Sequence, residues 1–198
     1  MKYPKKLLTL MQHLKKLPGV GTRSAERMAF QLVRWPAEEL KGLADLLSCV
    51  PESLKSCKEC GAFLEEDTCP FCVDERKQQQ VLCVVANVED VYAIESTREY
   101  LGLYHVLGNL ISPLDGIEFQ PHCFDGLKKR IQSLGIREVI LAIDSTVEGD
   151  ATSLYLKREI GFEGLKISRL AFGLPMGSRL EYVDGGTLAR AFLGRGKF

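Results

Sequence analysis

Three acidic residues lie in one short stretch, LAIDSTVEGDAT, whose first residues form an apolar segment of strand length. They are Asp144, Glu148 and Asp150. Carboxylates grouped at the end of a buried strand are the ligands that Mg²⁺ prefers, and a bound magnesium ion supports chemistry on phosphates. The same residues also suit a polar loop that caps the next helix, beginning near Asp150. The stretch therefore predicts either a weak magnesium site or a helix start.

Four cysteines form two C-x2-C pairs in CKECGAFLEEDTCPFC: Cys57, Cys60, Cys69 and Cys72. Two such pairs can surround one Zn²⁺ with four thiolates, and this closed tetrahedron leaves no coordination position for a substrate. The pattern predicts one structural zinc ion per chain, with Gly61 relaxing the turn after the first pair. Unrelated thiols or a redox pair are the alternatives. The other cysteines lack partners at ligand spacing and are interpreted as core or incidental thiols: Cys49, Cys83 and Cys123.

The amino-terminal segment is basic, although the whole chain has 26 basic and 26 acidic residues and a formal net charge of zero. Between Met1 and Arg34, eight lysines and arginines against one glutamate leave a local charge of +7. Such a segment favours binding to a polyanion, and a solvated helix face is the alternative. No apolar run approaches the roughly 20 residues that cross a bilayer.

Within this basic segment, LPGVGT separates two amphipathic helices. Its glycines would leave the backbone N–H groups at the start of the second helix open to a phosphate, and Thr22 is predicted to cap that helix. Phosphate contacts carry no base information, so binding should not depend on DNA sequence. An ordinary turn between helices is the alternative. The candidate DNA-binding residues are Gly19, Gly21, Arg23, Arg27, Lys15 and Lys16.

The elements around these candidates follow from hydrophobic spacing. The second helix is expected to bury Ala25, Met28 and Ala29, and WPAEELKGLADLLSCVPESLK predicts a third helix with a buried face of Leu40, Leu43, Leu47, Val50 and Leu54. From Val81, apolar runs (VLCVVA, YHVLG, EVILAID, LKISRLAF) alternate with amphipathic helices, one of them in HCFDGLKKRIQSLG. This alternation predicts an α/β fold with a parallel sheet covered by helices on both faces.

Two parts of the chain resemble known modules. LPGVGTRSAERMAF resembles the helix-hairpin-helix motif of DNA-repair proteins, and the region from Val81 resembles the Toprim domain of topoisomerases and primases. In the Toprim pattern an acid follows the first strand, whereas this chain has Ala86 there. Asp144 and Glu148 match later acids of the pattern, but Thr146 replaces the one between them. This depleted pattern favours structure or binding over catalysis, and a metal-dependent nuclease, primase or topoisomerase-type enzyme is the alternative.

The order of modules resembles the RecR family of bacterial recombination mediators over essentially the whole chain. The strings that carry the resemblance are LPGVGTRSAERMAF, CKECG, CPFC, VYAIE, SPLDGI, TVEGDAT and YVDGGTLARAFLGR. It implies a helical helix-hairpin-helix DNA-binding region (1–55), a zinc knuckle (56–79), a Toprim domain (80–175) and a C-terminal tail with a Walker-B-like stretch and a short helix (176–198). The family usually has Glu at the position of Ala86 and Asn-Pro at the position of Asp144 and Ser145.

The resemblance also implies a function. Proteins of this family are non-enzymatic, form homo-oligomers such as dimers or tetrameric rings, and act with RecO or RecF to help RecA replace single-strand-binding protein on gapped or single-stranded DNA. A cytoplasmic, nucleoid-associated protein with no membrane partner is expected. Asp144, Glu148 and Asp150 would then be free to contact a basic partner such as RecO. No G-x-x-x-x-G-K-[ST] loop is present, so ATP hydrolysis is not expected. A structural adaptor that never touches DNA is a third interpretation.

Overall fold

The chain divides into two units, Met1–Leu54 and Lys55–Phe198, in a computed structural model that describes residues 3–112, 124–171, 174 and 177–195. No helix in these described ranges is both long enough and apolar enough to cross a membrane. Cys123 and most of the SPLDGI string lie outside the described residues.

The first unit consists of three helices: α1 (Lys5–Leu14), α2 (Thr22–Val33) and α3 (Ala37–Ser53). The turn between α1 and α2 contains Gly19 at φ +77°, a left-handed conformation that glycine adopts without strain. Gly21 is the N-cap of α2, and no side chain caps the helix. The prediction that Thr22 is the cap is therefore wrong by one position, because Thr22 already has helical geometry.

Burial in the first unit is smaller than its apolar spacing predicts. Ala25 and Ala29 are fully buried, as expected, but Met28 is 43% exposed. On α3, Leu47 is 68% exposed and Val50 is 43% exposed, so the prediction of a buried face is wrong for these residues. Helical spacing identifies an apolar face, but only tertiary or quaternary packing decides whether that face is covered.

The second unit is built on a four-stranded parallel sheet of order β4-β3-β5-β6. Parallel strands need long crossover connections, and helices fill them here, which confirms the predicted α/β fold. A short antiparallel hairpin precedes the sheet, and a 3-10 turn (Leu180–Tyr182) and one helix follow it. The elements are β1 (Lys55–Ser56), β2 (Phe63–Leu64), α4 (Asp74–Lys77), β3 (Val81–Val85), α5 (Val88–Ser96), β4 (Leu103–Val106), α6 (Asp125–Ser133), β5 (Glu138–Ala142), α7 (Val147–Ile160), β6 (Lys166–Arg169) and α8 (Gly185–Leu193).

Alternate side chains of the sheet enter two different hydrophobic clusters, because successive residues of a strand point to opposite faces. Leu82 belongs to one cluster, with residues of α6 and α7 such as Leu127 and Leu156. Its neighbour Cys83 belongs to the other, which also contains Phe71 from the cysteine-rich segment. The cysteine-rich segment thus packs directly on one face of the sheet.

Candidate metal centre and nucleic-acid interface

The four cysteines of the C-x2-C pairs meet at one point. Their sulfur atoms all lie within 4.8 Å of one another, with 4.0 Å between the Sγ atoms of Cys57 and Cys72 and 3.5 Å between those of Cys60 and Cys69. A tetrahedral ion with bonds of about 2.3 Å to sulfur needs sulfur atoms about 3.8 Å apart, so the quartet fits Zn²⁺. It is the single group of this kind that the described residues form.

The local backbone explains how the first cysteine pair forms a tight turn. Gly61 has φ +82°, as its predicted role requires, and its N–H donates to the carbonyl oxygen of Cys57 at 2.8 Å. The N–H of Cys57 donates to the carbonyl oxygen of Ala62 at 2.8 Å. The carbonyl oxygen of Cys60 in turn accepts from the N–H of Val106 at 2.8 Å, at the end of β4. Backbone hydrogen bonds therefore attach the knuckle to the sheet.

The surroundings of Cys60 and Cys69 disfavour thiolates without a cation. A hydrogen bond with Cys72 raises the pKa of the Cys60 thiol, and burial acts in the same direction. Burial raises the pKa of Cys69 to about 11. The backbone groups of Ala62 and Phe71 oppose these shifts at Cys60 and Cys69 respectively, since an N–H near sulfur favours the thiolate. A cation would hold all four sulfurs as thiolates and displace their protons.

A buried guanidinium lies beside the quartet. Arg130 of α6 is 7% exposed. Its Nη1 donates to the carbonyl oxygen of Tyr104 at 2.6 Å, and its Nη2 donates to the Sγ of Cys72 at 3.5 Å. The Glu59 carboxylate lies 3.9 Å from Nε, and burial lowers the pKa of nearby His105 to about 4, which keeps that imidazole neutral. Sequence reasoning missed Arg130, because nothing in an ordinary amphipathic helix links it to a cysteine 58 positions away.

The candidate nucleic-acid interface is the exposed start of α2. The first hydrogen bond of the helix runs from the N–H of Ala25 to the carbonyl oxygen of Gly21 at 2.9 Å, so the N–H groups before Ala25 have no acceptor within the helix. A side chain added at Gly21 would meet no atom within 4 Å. Arg23 and Arg27 are exposed and line one pocket with Phe30. The same pocket is also lined by Glu26 and Arg34. Unbonded N–H groups and two exposed arginines therefore lie within the first two turns of α2.

Two further candidates lie at the same hairpin. Lys15 is the C-cap of α1, and Lys16 follows it, with both side chains exposed. The acid of this segment, Glu26, accepts a hydrogen bond from the Tyr3 hydroxyl at 2.6 Å. The structure therefore brings the six predicted DNA-binding residues to one turn and the helix that follows it.

Asp150 is not free, which corrects the prediction for the acidic stretch. Its carboxylate contacts Nη1 of Arg169 on β6 at 2.7 Å and Nη2 of Arg190 on α8 at 3.0 Å. The hydrogen bond from Arg169, together with the charges of both arginines, lowers the pKa of Asp150. These arginines lie 19 and 40 positions further along the chain, so local spacing could not reveal the contact.

The rest of the acidic stretch forms a helix start. Thr146 is the N-cap of α7, and its side-chain oxygen accepts from the N–H of Gly149 at 3.1 Å. Asp144 is exposed and Glu148 is half-buried, and they do not join Asp150 in a group able to share an ion. Ala86 is buried after β3 and offers no ligand. The helix-start interpretation therefore describes this stretch, but α7 begins at Val147, three residues before the predicted start at Asp150.

The acid of the Walker-B-like stretch is also a helix cap. Asp184 precedes α8, and its carboxylate accepts from the N–H of Thr187 at 2.9 Å and from the hydroxyl of Thr187 at 2.7 Å. Both carboxylate oxygens are thereby engaged in the first turn of α8.

Comparisons with known proteins cover nearly the whole chain. Residues 7–50 match the family model "RecR, helix-hairpin-helix", residues 80–171 match "Toprim domain", and residues 173–195 match "RecR, C-terminal". The chain is 52% identical over 198 residues to "Recombination protein RecR" of Protochlamydia amoebophila, covering 100% of both proteins. It is 46% identical over 196 residues to that of Chlamydia pneumoniae and 44% identical over 195 residues to that of Thermus thermophilus, covering 98% of both proteins in each case.

Proposed function

The chain belongs to the RecR family of recombination proteins, and we propose that it is a non-enzymatic, DNA-binding mediator of recombinational repair. The observation that carries this proposal is the open start of α2. Backbone N–H groups without helical acceptors lie there next to Gly21, and the exposed Arg23 and Arg27 lie on the first two turns of the same helix. A helix N-terminus attracts anions, and arginines one turn apart extend that attraction along a phosphate backbone.

The proposed partners are RecO or RecF, and indirectly RecA and single-strand-binding protein. Binding through phosphates would be independent of base sequence, as a protein that works at any gap or break requires. Asp144 and Glu148 are the acids we assign to contact with a basic partner such as RecO, since Asp150 is occupied by two arginines. With DNA as the ligand, the protein would work at the nucleoid in the cytoplasm.

A recombinase-loading assay tests the mediator role. Gapped DNA coated with single-strand-binding protein is mixed with RecA, RecO and the protein, and filament formation is followed by RecA-dependent ATP hydrolysis. The wild-type chain should shorten the lag, and the Arg23→Ala/Arg27→Ala variant should not. Lys41→Ala/Lys129→Ala removes the same charge from exposed positions elsewhere and should behave like wild type. An equal lag with and without the wild-type chain would refute the mediator role.

The non-enzymatic part of the proposal has its own test. Labelled gapped DNA is incubated with the protein, Mg²⁺ and nucleotides, and the strands are separated on a denaturing gel. Unaltered strands are expected, since Ala86 stands where the Toprim pattern has an acid and Asp150 is engaged by arginines. Cleavage or extension that disappears in Glu148→Ala would show that the acidic stretch is a working metal site.

We propose Zn²⁺ as the cofactor, one per chain, bound by the four cysteines. Its role would be structural, because four thiolates close the tetrahedron. The spacing of the sulfurs and the backbone donors beside Cys60 and Cys69 support this assignment. Elemental analysis of purified protein should give one zinc per chain, and a Cys57→Ser/Cys60→Ser variant should lose it. Iron in place of zinc would contradict the assignment.

We also propose that the protein works as a homo-oligomer, a dimer or tetrameric ring. One hairpin supplies few phosphate contacts, and repeating it in an assembly would add avidity. The apolar residues exposed on α3 support this proposal, since Leu46 is 61% exposed and Leu47 is 68% exposed. Light scattering should give more than one chain per particle. Leu47→Glu should reduce the mass, whereas Glu38→Gln, on the first turn of α3, should not.

A further inference from the structure

We propose that Arg130 is a positioning residue of the metal centre. Its guanidinium supplies buried positive charge to the zinc thiolate group and holds the sulfur of Cys72 in place, and it thereby joins helix α6 to the metal. This inference rests on the proposed zinc cofactor. It assigns to Arg130 a role that the helix-hairpin-helix and Toprim patterns do not contain.

The charges of Arg130 and of the zinc thiolate group are complementary. Four thiolates around one Zn²⁺ have a net charge of −2, and burying a net charge without a partner is costly. Arg130 is itself a buried cation, 7% exposed. In the described part of the chain, the carboxylate within ion-pairing distance is that of Glu59, which lies 3.9 Å away and is 70% exposed. The buried negative charge that balances the guanidinium is therefore that of the zinc thiolate group.

The guanidinium of Arg130 is held in a fixed geometry. The planar fork of Arg130 makes directed contacts through both terminal nitrogens. Nη1 contacts the Tyr104 carbonyl oxygen at 2.6 Å and Nδ1 of His105 at 3.5 Å, and Nη2 contacts the Sγ of Cys72 at 3.5 Å. Leu127 and Ile131, each 1% exposed, anchor α6 in the core on either side of Arg130. The guanidinium, which is held by a rigid helix, thus contacts both β4 and the metal centre. A lysine ammonium could keep the charge but not both directed contacts.

The sulfurs of the metal centre lie beside different kinds of donor. The backbone groups of Ala62 and Phe71 act against the rise in the pKa of Cys60 and Cys69, respectively. Cys72 receives a side-chain donor instead, Arg130. A hydrogen bond to a metal-bound thiolate orients its lone pairs toward the metal, so loss of such a partner typically weakens metal affinity about 10- to 100-fold.

Arg76 provides a matched control. It is also a largely buried arginine of the same unit, with a side chain 17% exposed. Its two terminal nitrogens each lie 2.8 Å from a carboxylate oxygen of Glu95, and Nη1 also donates to the carbonyl oxygen of Gly102. Its charge is thus balanced by a carboxylate, and its hydrogen bonds within the described residues include no cysteine. Its guanidinium also lies 5.5 Å from the centroid of the Phe71 ring, so replacing Arg76 should disturb packing beside the knuckle without removing a side-chain donor to sulfur.

The test compares zinc release from wild type, Arg130→Met and Arg76→Met. Each purified protein is mixed with an excess of a chromogenic zinc chelator, and the absorbance of the zinc–chelator complex reports the rate of zinc release. Wild type should release one zinc per chain slowly, Arg130→Met should release it about 10- to 100-fold faster, and Arg76→Met should stay much closer to wild type than Arg130→Met does. Equal rates in the two variants would overturn the inference. A wild-type protein without zinc would instead overturn the cofactor assignment.

A spectrum separates positioning from general loss of stability. In Co²⁺-substituted protein, removing the donor to Cys72 makes that sulfur a stronger electron donor, so the sulfur-to-cobalt charge-transfer band should move to longer wavelength in Arg130→Met. Arg130→Lys, which keeps the charge, should release zinc at an intermediate rate. An unshifted band in Arg130→Met would contradict the proposed contact.

Hydrogen exchange on the wild-type chain gives a result even if Arg130→Met does not fold. Removing zinc leaves the guanidinium without its buried counter-charge, so peptides from α6 should exchange faster after chelation. Peptides from α7, which packs on the same face of the sheet, should change less. Equal protection of α6 with and without zinc would overturn the link between Arg130 and the metal.

Discussion

Replacing Arg23 and Arg27 with alanine should lower both DNA affinity and its dependence on salt. Both side chains are exposed on α2, and neither guanidinium has a hydrogen-bond or ion-pair partner in the described part of the chain. Their removal should therefore change folding stability by no more than about 0.5 kcal/mol. Any loss of binding then reports on lost contacts with DNA.

The size of the effect follows from counterion release. Each phosphate contact contributes about 0.9 to the slope of log affinity against log salt on duplex DNA and about 0.7 on single strands. Two lost contacts should flatten the slope by about 1.8 and about 1.4, respectively. If the variant and wild type bind equally at 1 M salt, the variant should bind more weakly than wild type at 0.1 M salt. The expected loss at 0.1 M is roughly 60-fold on duplex DNA and roughly 25-fold on single strands, or about 2 kcal/mol.

Fluorescence anisotropy with labelled DNA of several unrelated sequences, at four or more salt concentrations, measures the slope. The loss should be the same for every sequence, and Lys41→Ala/Lys129→Ala should leave the slope within error of wild type. An unchanged slope in the arginine variant would refute the phosphate site at α2. A loss confined to one sequence would refute the idea that the contacts are to phosphates alone.

Three further predictions concern stability. Arg169 and Arg190 lower the pKa of Asp150 below 3.8, so the stability that these ion pairs contribute is fully present above that pH and is lost as the pH falls through the lowered pKa. Denaturant unfolding below about pH 4 should therefore show a loss of up to about 1 kcal/mol in the free energy of unfolding. The Asp150→Asn variant should not show this loss. Gly19→Ala should destabilise the first unit by about 1 kcal/mol in thermal unfolding, because φ is +77° there. Chelating zinc should lower the unfolding temperature of wild type but not of Cys57→Ser.

Local patterns were sufficient for most of the fold. The strand at Val81–Val85 and the helix at Thr22–Val33 follow from apolar spacing, which depends on backbone geometry within a few residues. The parallel sheet follows from the alternation of such segments, since each crossover must return the chain in the same direction. The boundary error at Thr22 and the exposed Leu47 show the limit of spacing, which indicates a periodicity but neither the cap nor the covering surface.

In the metal centre and the acidic stretch, too, local spacing predicted some features and only tertiary packing decided others. Cys57 and its three partners could be identified from sequence, because two tight turns fix the ligands within each pair and a tetrahedral ion needs four. The contacts of Arg130 and Asp150 could not, because they join residues 58, 19 and 40 positions apart. Such contacts depend on how the helices pack against the sheet, and only the tertiary structure decides that.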